Sequence, residues 1–488
     1  MAADTSKPEE KFSKNSIVSG IGWKFLERIS SLVVTLVVQI VLARLLNPAD
    51  FGLAAMVMVF VSLSTIFVTG GLSNSLIQKT NADELDFSTL FWLNILVSVL
   101  IYALLFLFAP FVEAFYGYPQ LSAMLRVLSL RVIIASVNSI QTAYISRNMM
   151  FRYYFYSTLS GKIFSGVIGI GMAFLGFGVW SLVGQSLSVL LVETYVLWFK
   201  GKWRPKRIFS WSRAKSLYSF AWKIMVMSWV ELIHDQLRNM IIGKKYSSEE
   251  LAFYDKGLLL PTNIMTNIAA SLTTVMFPVL SHSQDENERV LGMCRKWLSL
   301  FAYCAFPILT FFIVSARQII LVLFTAKWLP SLLFLQLASF YYAVWVIEIP
   351  IRETIKSLGH AQICLRMQVI KTLFALILLF SIMSFGVEII AVSSLVSSLF
   401  NVFVSMYYGN KYIQYSPKEL LADILPTLVL NVIMGMSIFL VTLLPIPNIL
   451  ILILQTILGA VVYLGISFVL RNENYHFLRD LIRERLSL

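Results

Sequence analysis

Ionisable and polar side chains recur inside stretches of sequence that are otherwise almost entirely apolar. In the first such stretch, Lys24, Arg28, Ser31, Thr35 and Gln39 follow one another at intervals of three or four residues, so on a helix they share one face. A charge at membrane depth costs several kcal/mol unless it is paired or hydrated. Because lysine and arginine bind phosphate oxygens through charge-assisted hydrogen bonds, this stripe predicts a cationic surface suited to an anionic head group such as a diphosphate.

A second stripe lies 199 residues later and mixes bases with acids. It comprises Lys223, Met227, Glu231, His234 and Arg238, with Asp235 beside them. The acids and the histidine lie near the middle of the predicted helix, where they either pair internally with Arg238 or form a titrating site coupled to protons or sodium ions. Histidine is the side chain whose unperturbed pKa lies near neutrality. The residues alone leave both interpretations open.

Three further cations, Arg131, Lys162 and Lys371, are predicted to lie at membrane depth, where the other acids are Glu27, Glu193 and Glu348. Bases outnumber acids in the combined set. A cavity lined by these residues would therefore be modestly cationic, and a buried location would strengthen its hydrogen bonds to an anion. The competing explanation for cations near helix ends is snorkelling, in which a long side chain reaches the interface without binding any ligand.

The composition identifies the class of protein to which these residues belong. Of the 488 residues, 58% are hydrophobic and 13% are charged, whereas soluble proteins carry about 25% charged residues. The net charge of +13 does not predict a nucleic-acid partner, because the bases concentrate in connectors that would face an anionic lipid leaflet. Cys294, Cys304 and Cys364 form no pair or metal-binding spacing, so neither a disulfide nor a metal site is expected.

Apolar segments long enough to cross a bilayer, which requires about 20 residues, number fourteen. The expected fold is thus an all-α polytopic membrane protein. The predicted spans are 21–45, 51–72, 88–112, 121–146, 154–176, 178–199, 217–242, 251–280, 297–324, 329–352, 364–385, 387–408, 422–444 and 448–470.

A dense basic connector divides these spans into two sets of six, followed by a final pair. The sequence predicts a six-helix lobe at 21–199, a basic hinge at 200–216, a second lobe at 217–408 and two extra helices within 409–470. By the positive-inside rule, the hinge and both tails (residues 1–20 and 471–488) are expected in the cytoplasm. Both six-helix lobes would then begin on the same side of the membrane, as parallel repeats related by an axis along the membrane normal.

Two local patterns predict how helices pack and bend. Small residues recur every fourth position at Ser157, Gly161, Ser165, Gly169 and Ala173, which indicates a seam where another backbone approaches closely. Pro261 and Pro350 lie inside predicted spans, where each would free a backbone carbonyl. Each proline is interpreted either as a hinge for a rocking motion or as a static kink.

Sequence motifs for enzymatic chemistry are missing. No Walker loop, HExxH, GxSxG or CxxC occurs, so the sequence supports neither ATP hydrolysis nor hydrolytic catalysis. The predicted external loops are too short for the catalytic loop expected of a membrane glycosyltransferase or polymerase. The chain is therefore expected not to be an enzyme and to carry no bound cofactor.

Several short motifs, in order along the whole chain, resemble those of one membrane family. They are LARLLNPADFGLAAMVMVF with Pro48, Asp50, Phe51 and Gly52, GFGVWSLVGQ with Gly178, Val179 and Trp180, FYDKGLLLP at 253–261, and VMFPVLS with Pro278. The chain thereby resembles the polysaccharide-unit (Wzx-type) flippases, especially the colanic-acid-like and teichuronic-acid-like branch. These belong to the multidrug/oligosaccharidyl-lipid/polysaccharide (MOP) exporter superfamily, which includes the MATE transporters.

The resemblance implies two six-helix lobes around a central cavity with alternating access. It implies that the substrate is an oligosaccharide on undecaprenyl diphosphate, moved across a bacterial cytoplasmic membrane with help from an ion gradient. The positions that match the family's cationic cavity are Lys24, Arg28, Lys223 and Arg238. The last two helices resemble a pair that forms a groove for the lipid tail, so membrane lipid is an expected partner, and association with a polymerase is left open.

Two alternatives remain at this point. A multidrug or lipid-II exporter of the same superfamily would share the fold, although a drug exporter favours an acid-lined site for cations. A membrane polymerase or glycosyltransferase is the alternative from a different functional class.

Overall fold

A computed structural model describes residues 14–79, 81–201, 203–281 and 287–486. Throughout these residues the chain is built from helices and contains no strand. The helices of the first half are α1 (Lys14–Leu45), α2 (Pro48–Thr69), α3 (Leu72–Gln78), α4 (Glu84–Tyr116), α5 (Leu121–Leu128), α6 (Leu130–Arg147), α7 (Phe151–Phe174), α8 (Trp180–Lys200) and α9 (Trp211–Lys245).

The second half continues in the same manner. Its helices are α10 (Ser248–Ser281), α11 (Asn287–Val314), α12 (Ala316–Ile319), α13 (Leu332–Ser357), α14 (Ala361–Ile382), α15 (Val387–Ile413), α16 (Pro417–Val441), α17 (Asn448–Val469) and α18 (Glu473–Leu486). Between α12 and α13 lie a π-helical turn, Ile320–Phe324, and a 3-10 helix, Ala326–Ser331. The prediction of an all-α fold is confirmed.

The membrane-spanning character of the chain is also confirmed, but not the number of crossings. Within the described residues, twelve helical segments are long and apolar enough to cross a membrane. The two long helices outside this set are α9 and α10, which have 35 and 34 residues. Length does not exclude them. Some residues of both helices lie outside the described residues, to which the search was restricted, so the count of fourteen crossings stays a prediction.

Two compact units make up the chain, residues 1–251 and 252–488. In the first unit α9 packs on α2, α3 and α4, so the helix predicted to open the second lobe belongs to the first compact unit. The compact units divide the chain by its contacts, whereas the predicted lobes divide it by its sequence repeat. The predicted arrangement of two six-helix lobes and two extra helices therefore stays a prediction.

Helix α7 lies between α1 and α8 in the first unit, and its small residues permit this. An added Cβ at Gly161 would lie 2.5 Å from Cγ of Glu193, and one at Gly169 would lie 2.8 Å from Cβ of Gln185. Ser157 Oγ donates to the backbone oxygen of Glu193 at 2.8 Å. The predicted small-residue seam is confirmed, and it faces α8.

The start of α2 explains one glycine of the family-like motif. Pro48 occupies the first turn of α2, and the Asp50 carboxylate accepts a hydrogen bond from the Asn47 N–H at 3.1 Å. A Cβ at Gly52 would lie 1.7 Å from the backbone oxygen of Ser248. Only glycine permits this approach, so the motif fixes the junction of α9 and α10 against α2.

The second unit is organised around α11 and α13, which pack together. Helix α13 also contacts α15, and α11 contacts α16. Tyr303, Tyr463 and three apolar residues of α16 form one buried cluster, and Tyr475 and Leu478 of α18 pack against it. Within the predicted carboxy-terminal tail, α18 thus docks on this unit through its apolar side.

Two predicted spans contain irregular residues. The span predicted at 121–146 lies within one apolar segment, Leu121–Arg147, in which the single turn residue Ser129, itself of helical backbone conformation, separates α5 from α6. The α-helix of the span predicted at 297–324 ends at Val314, and the short α12 and the π-helical turn follow. Hydropathy does not detect such irregularities, since the residues on both sides are apolar. Neither candidate proline ends its helix: α10 continues through Pro261 and α13 continues through the buried Pro350. Their roles as hinges or as static kinks stay predictions.

Candidate functional site

The polar stripe of α1 faces α7. Lys162 of α7 donates from Nζ to Thr35 Oγ1 at 2.8 Å and lies 3.5 Å from the backbone oxygen of Ser31. At the start of the stripe, the ammonium of Lys24 lies 3.7 Å from the ring centre of Tyr154. Such cation–π contacts stabilise a desolvated ammonium. The structure therefore brings the predicted residues Lys24 and Lys162 to one α1–α7 interface.

Arg131 joins the same region from α6. Its Nη1 donates to the backbone oxygen of Ser186 on α8 at 2.6 Å and also to Ser186 Oγ. Arg131 is within electrostatic range of Glu193 on α8, and Lys162 is within range of both Glu193 and Glu27. Glu27 in turn interacts with Lys24, which is close enough to Arg28 to experience its charge. Helices α1, α6, α7 and α8 thus place these side chains in one connected electrostatic group.

We call this group the amino-terminal charge cluster; its members are Lys24, Glu27, Arg28, Arg131, Lys162 and Glu193. All six are partly buried, and four of them are basic. Among the described residues, no ion pair of 4 Å or less involves Glu27 or Glu193. A partly buried group with excess positive charge can lower its energy by binding an anion. The cationic cavity that the sequence predicts for these residues stays a prediction.

A cavity of about 210 Å³ opens beside Arg131. Its other polar lining residues are Ser62, Thr65 and Thr69 of α2. The hydroxyls of Thr65 and Thr69 donate to backbone oxygens one turn earlier in their own helix, at 2.7 and 3.0 Å, and their oxygens stay able to accept. A guanidinium with several hydroxyls is a lining that suits a polar, anionic or hydroxylated group.

Lys371 occupies a different environment, in the second unit. Its Nζ lies 2.7 Å from Oε1 of Glu348 and donates to Ser405 Oγ at 2.7 Å. Arg352 stands 4.0 Å from the same Glu348 oxygen and 3.3 Å from Glu353. In this structure the Lys371 charge is compensated by protein groups and buried. Its assignment as a substrate ligand stays a prediction.

The remaining predicted residues lie on α9. Arg238 is partly buried. The side chains of Lys223, Glu231, His234 and Asp235 lie outside the described residues, although their backbone belongs to α9. The structure therefore places the second stripe on one helix without testing the proposed ion-coupling role.

Two clusters were missed by the sequence interpretation. In the second unit, Arg295 makes two 2.8 Å hydrogen bonds to Asp423, which also accepts from the Tyr415 hydroxyl at 2.7 Å. In the first unit, acids at the start of α4 hold the basic hinge, as described below. Acids that lie 122 to 130 residues from these partners leave no local sequence pattern that would reveal them.

No group of three or more metal-binding side chains that could hold an ion occurs in the part of the chain that the structure describes. The described cysteines Cys294, Cys304 and Cys364 are free thiols.

The family model described as "Polysaccharide biosynthesis protein" matches residues 41–333, well over half of the chain. The chain belongs to this polysaccharide biosynthesis family. The match begins near the end of α1 and reaches α13, so it includes α6, α7 and α8 of the charge cluster.

Two relatives extend the family similarity along the chain. A membrane protein in the cps region of Klebsiella pneumoniae is 23% identical over 97% of this chain and 99% of its own length. The teichuronic acid biosynthesis protein TuaB of Bacillus subtilis is 23% identical over 71% of this chain and 72% of its own length. The predicted resemblance to the teichuronic-acid-like branch is confirmed.

Solved structures identify the fold of this polysaccharide biosynthesis protein. The lipid II flippase MurJ in an inward closed conformation aligns with a TM-score of 0.76 at 16% identity, over 95% of this chain and all of that one. An inward-facing MATE transporter of the MOP superfamily aligns with a TM-score of 0.60 at 13% identity, over 80% and 98%. The chain therefore has the fold that MurJ and this MATE transporter share, and the predicted MATE-like fold is confirmed.

Proposed function

We propose that this chain is a flippase that moves a lipid-linked oligosaccharide, an undecaprenyl-diphosphate-linked repeat unit, across the cytoplasmic membrane of a bacterium during polysaccharide assembly. The proposal joins three supports: membership of the polysaccharide biosynthesis family, the MOP transporter fold, and the excess positive charge of the amino-terminal cluster. The single observation that carries the substrate class is this charge, because a diphosphate is the charged part of such a lipid.

The diphosphate is assigned to the cluster on chemical grounds. Lys162 and Arg131 present N–H donors on α7 and α6 that already bind neutral oxygens of Thr35 and Ser186. A phosphate oxygen is a stronger acceptor than either and would replace these contacts. The hydroxyl-lined cavity beside Arg131 would receive the adjoining sugar hydroxyls, while the polyprenyl tail stays in lipid.

Transport by alternating access requires an equilibrium between an inward-open and an outward-open state. Substrate and ion shift this equilibrium because each binds one state more tightly than the other. We assign the coupling step to Glu231, His234 and Asp235 of α9, with protons or sodium as the driving ion. The orientation that goes with this scheme has both termini and the basic hinge in the cytoplasm. In this scheme the chain performs no covalent chemistry, and any polysaccharide polymerase acts as a separate partner.

The test uses a strain that lacks this chain and measures on which face of the membrane the lipid-linked oligosaccharide accumulates. A membrane-impermeant enzyme that modifies the saccharide reports the outward-facing fraction. Loss of surface polymer with accumulation facing the cytoplasm is expected. Accumulation facing outward would indicate a polymerase or ligase, and normal polymer with altered drug sensitivity would indicate a multidrug exporter.

A further inference from the structure

The connector between α8 and α9 is held on α4 in a fixed conformation. The backbone N–H of Lys206 donates to Ser88 Oγ at 3.1 Å, and that of Ser210 donates to Thr89 Oγ1 at 3.1 Å. In the other direction, Trp92 Nε1 donates to the Lys206 backbone oxygen at 2.9 Å. The connector therefore presents one side to α4 and the opposite side outward.

Acids at the start of α4 neutralise only part of the connector's positive charge. Lys206 Nζ lies 2.6 Å from Glu84, and Arg213 lies 3.2 Å from Asp86 and 3.3 Å from Asp83. Arg207 and Lys215 are exposed and form no ion pair with any residue that the structure describes. The outward side thus keeps an excess of positive charge with every neighbouring acid of α4 already engaged.

Exposed aromatic rings also lie on the connector and on the first turns of α9. Phe209 is 48% exposed, Trp211 69% and Tyr218 44%, and the ring centres of Phe209 and Trp211 are 6.1 Å apart. Trp211, Lys215 and Tyr218 follow at helical spacing along the first turns of α9. We call Arg207, Phe209, Trp211, Lys215 and Tyr218 the linker patch.

The position of the linker patch relative to the apolar belt determines what it can contact. Beyond Trp92, which holds the connector, α4 carries the exposed apolar residues Leu96, Leu100 and Leu104. This helix is long and apolar enough to span the membrane. The connector therefore lies where the lipid-facing surface of α4 begins. Tryptophan and tyrosine concentrate at this level of a bilayer, and basic residues there are attracted to anionic lipid.

We propose that the linker patch is a binding site for anionic phospholipid head groups at the membrane surface. Arg207 and Lys215 bind the lipid phosphate, and the three aromatic rings insert among the head groups beside it. The partner is the bilayer's own anionic lipid, so the site is distinct from the charge cluster and does not depend on the transported substrate. It fixes the connector at the membrane surface while the acids of α4 fix it to the protein.

The experiment places the full-length chain in nanodiscs of phosphatidylcholine with increasing phosphatidylglycerol. A polarity-sensitive dye, attached through Ser212→Cys in a background without the three native cysteines, reports binding. We expect a saturable response that weakens with added salt, because the contact is electrostatic and exposed. Removing both charges with Arg207→Gln/Lys215→Gln is expected to weaken the apparent affinity by about ten- to thirtyfold.

The matched control removes two exposed cations elsewhere, with Lys418→Gln/Arg471→Gln, and is expected to leave the response unchanged. Unfolding temperatures in pure phosphatidylcholine verify that each variant is folded. Equal affinity of the linker variant and the control would overturn the proposal. It would also be overturned if Trp211→Ser changed the oligomeric state and not the phosphatidylglycerol response, since the patch would then be an interface between copies.

Discussion

Nζ of Lys371 lies 2.7 Å from Oε1 of Glu348, with both side chains at most 5% exposed. The two residues belong to α14 and α13, and Ser405 of α15 supplies a third contact at 2.7 Å. Three helices of the second unit are thus joined through one buried ion pair. A buried ion pair of this kind contributes little net stability, but removal of one partner leaves the other charge buried without a counter-ion.

The first prediction separates a structural role of Lys371 from a role as a ligand. Lys371→Met leaves Glu348 buried with only Arg352 at 4.0 Å, and we expect a loss of about 3–5 kcal/mol in unfolding free energy. The double variant Lys371→Met/Glu348→Gln removes both charges and should recover much of this loss. Thermal unfolding in detergent measures the difference. Wild-type stability of Lys371→Met combined with lost transport would instead assign Lys371 to the substrate.

The second prediction concerns Lys162 in the amino-terminal charge cluster. If Lys162 binds the diphosphate, Lys162→Met should reduce transport by about tenfold or more, because a hydrogen bond to a charged group contributes about 1.5–3 kcal/mol. Thr35→Val removes the oxygen that Lys162 contacts but keeps the charge, so its effect should be much smaller. Outward-facing lipid-linked oligosaccharide, normalised to the amount of protein in the membrane, is the readout. Normal transport by Lys162→Met would remove Lys162 from the site.

The third prediction tests the seam between α7 and α8. Gly161→Ala places a methyl group 2.5 Å from Cγ of Glu193 and 3.0 Å from the Val189 backbone oxygen, and overpacking of this kind costs about 1–3 kcal/mol. Gly171 lies on the same helix with nothing within 4 Å of an added Cβ. Gly171→Ala is therefore the matched control and should be neutral. Equal unfolding temperatures for the two variants would mean that the seam is not tightly packed.

Hydropathy and residue spacing were sufficient to predict most of the fold. Apolar segments of about 20 residues specify spanning helices because the bilayer leaves few alternatives, and the spacing of Ser157, Gly161 and Gly169 correctly indicated a close helix contact. The docking of α18 was not predictable in this way. It depends on packing against distant segments, which local hydropathy does not record.

The candidate site was predictable in its residue types but not in its partners. The sequence placed Lys24 and Lys162 in polar positions, yet nothing in it indicated that Tyr154 would lie 3.7 Å from Lys24. Lys371 was assigned to a cationic cavity because bases outnumber acids among the charges predicted at membrane depth. That count did not reveal its contact with Glu348, which is 23 residues away and on another helix. Long-range pairing decides whether a buried base is available to a ligand, and a single sequence does not contain it.

The fourth prediction concerns the attachment of the connector to α4. Asp86 is fully buried and lies 2.6 Å from Lys79 and 3.2 Å from Arg213. Asp86→Asn leaves both cations without their shared counter-ion, so the connector should open more often. Tryptic cleavage at the connector's basic residues is expected to become at least about tenfold faster, which corresponds to about 1.4 kcal/mol of local stability. Glu84→Gln affects an exposed pair and should change the rate little.

The last prediction is the pH dependence of this attachment. The Asp86 N–H, which donates to Asp83 at 2.9 Å, lowers the pKa of the Asp83 carboxyl, with a smaller contribution from Arg213. Because the folded pKa lies below the unfolded value of about 3.9, Asp83 supports the attachment fully above that pH and loses its contribution as the pH falls through the folded pKa. The dye at Ser212→Cys should therefore report a constant environment from neutral pH to about pH 4 and a change below it. Asp83→Asn keeps the capping amide oxygen without the titration, so its response should lack this contribution. A transition centred well above pH 4 and retained in Asp83→Asn would assign the titration to another group.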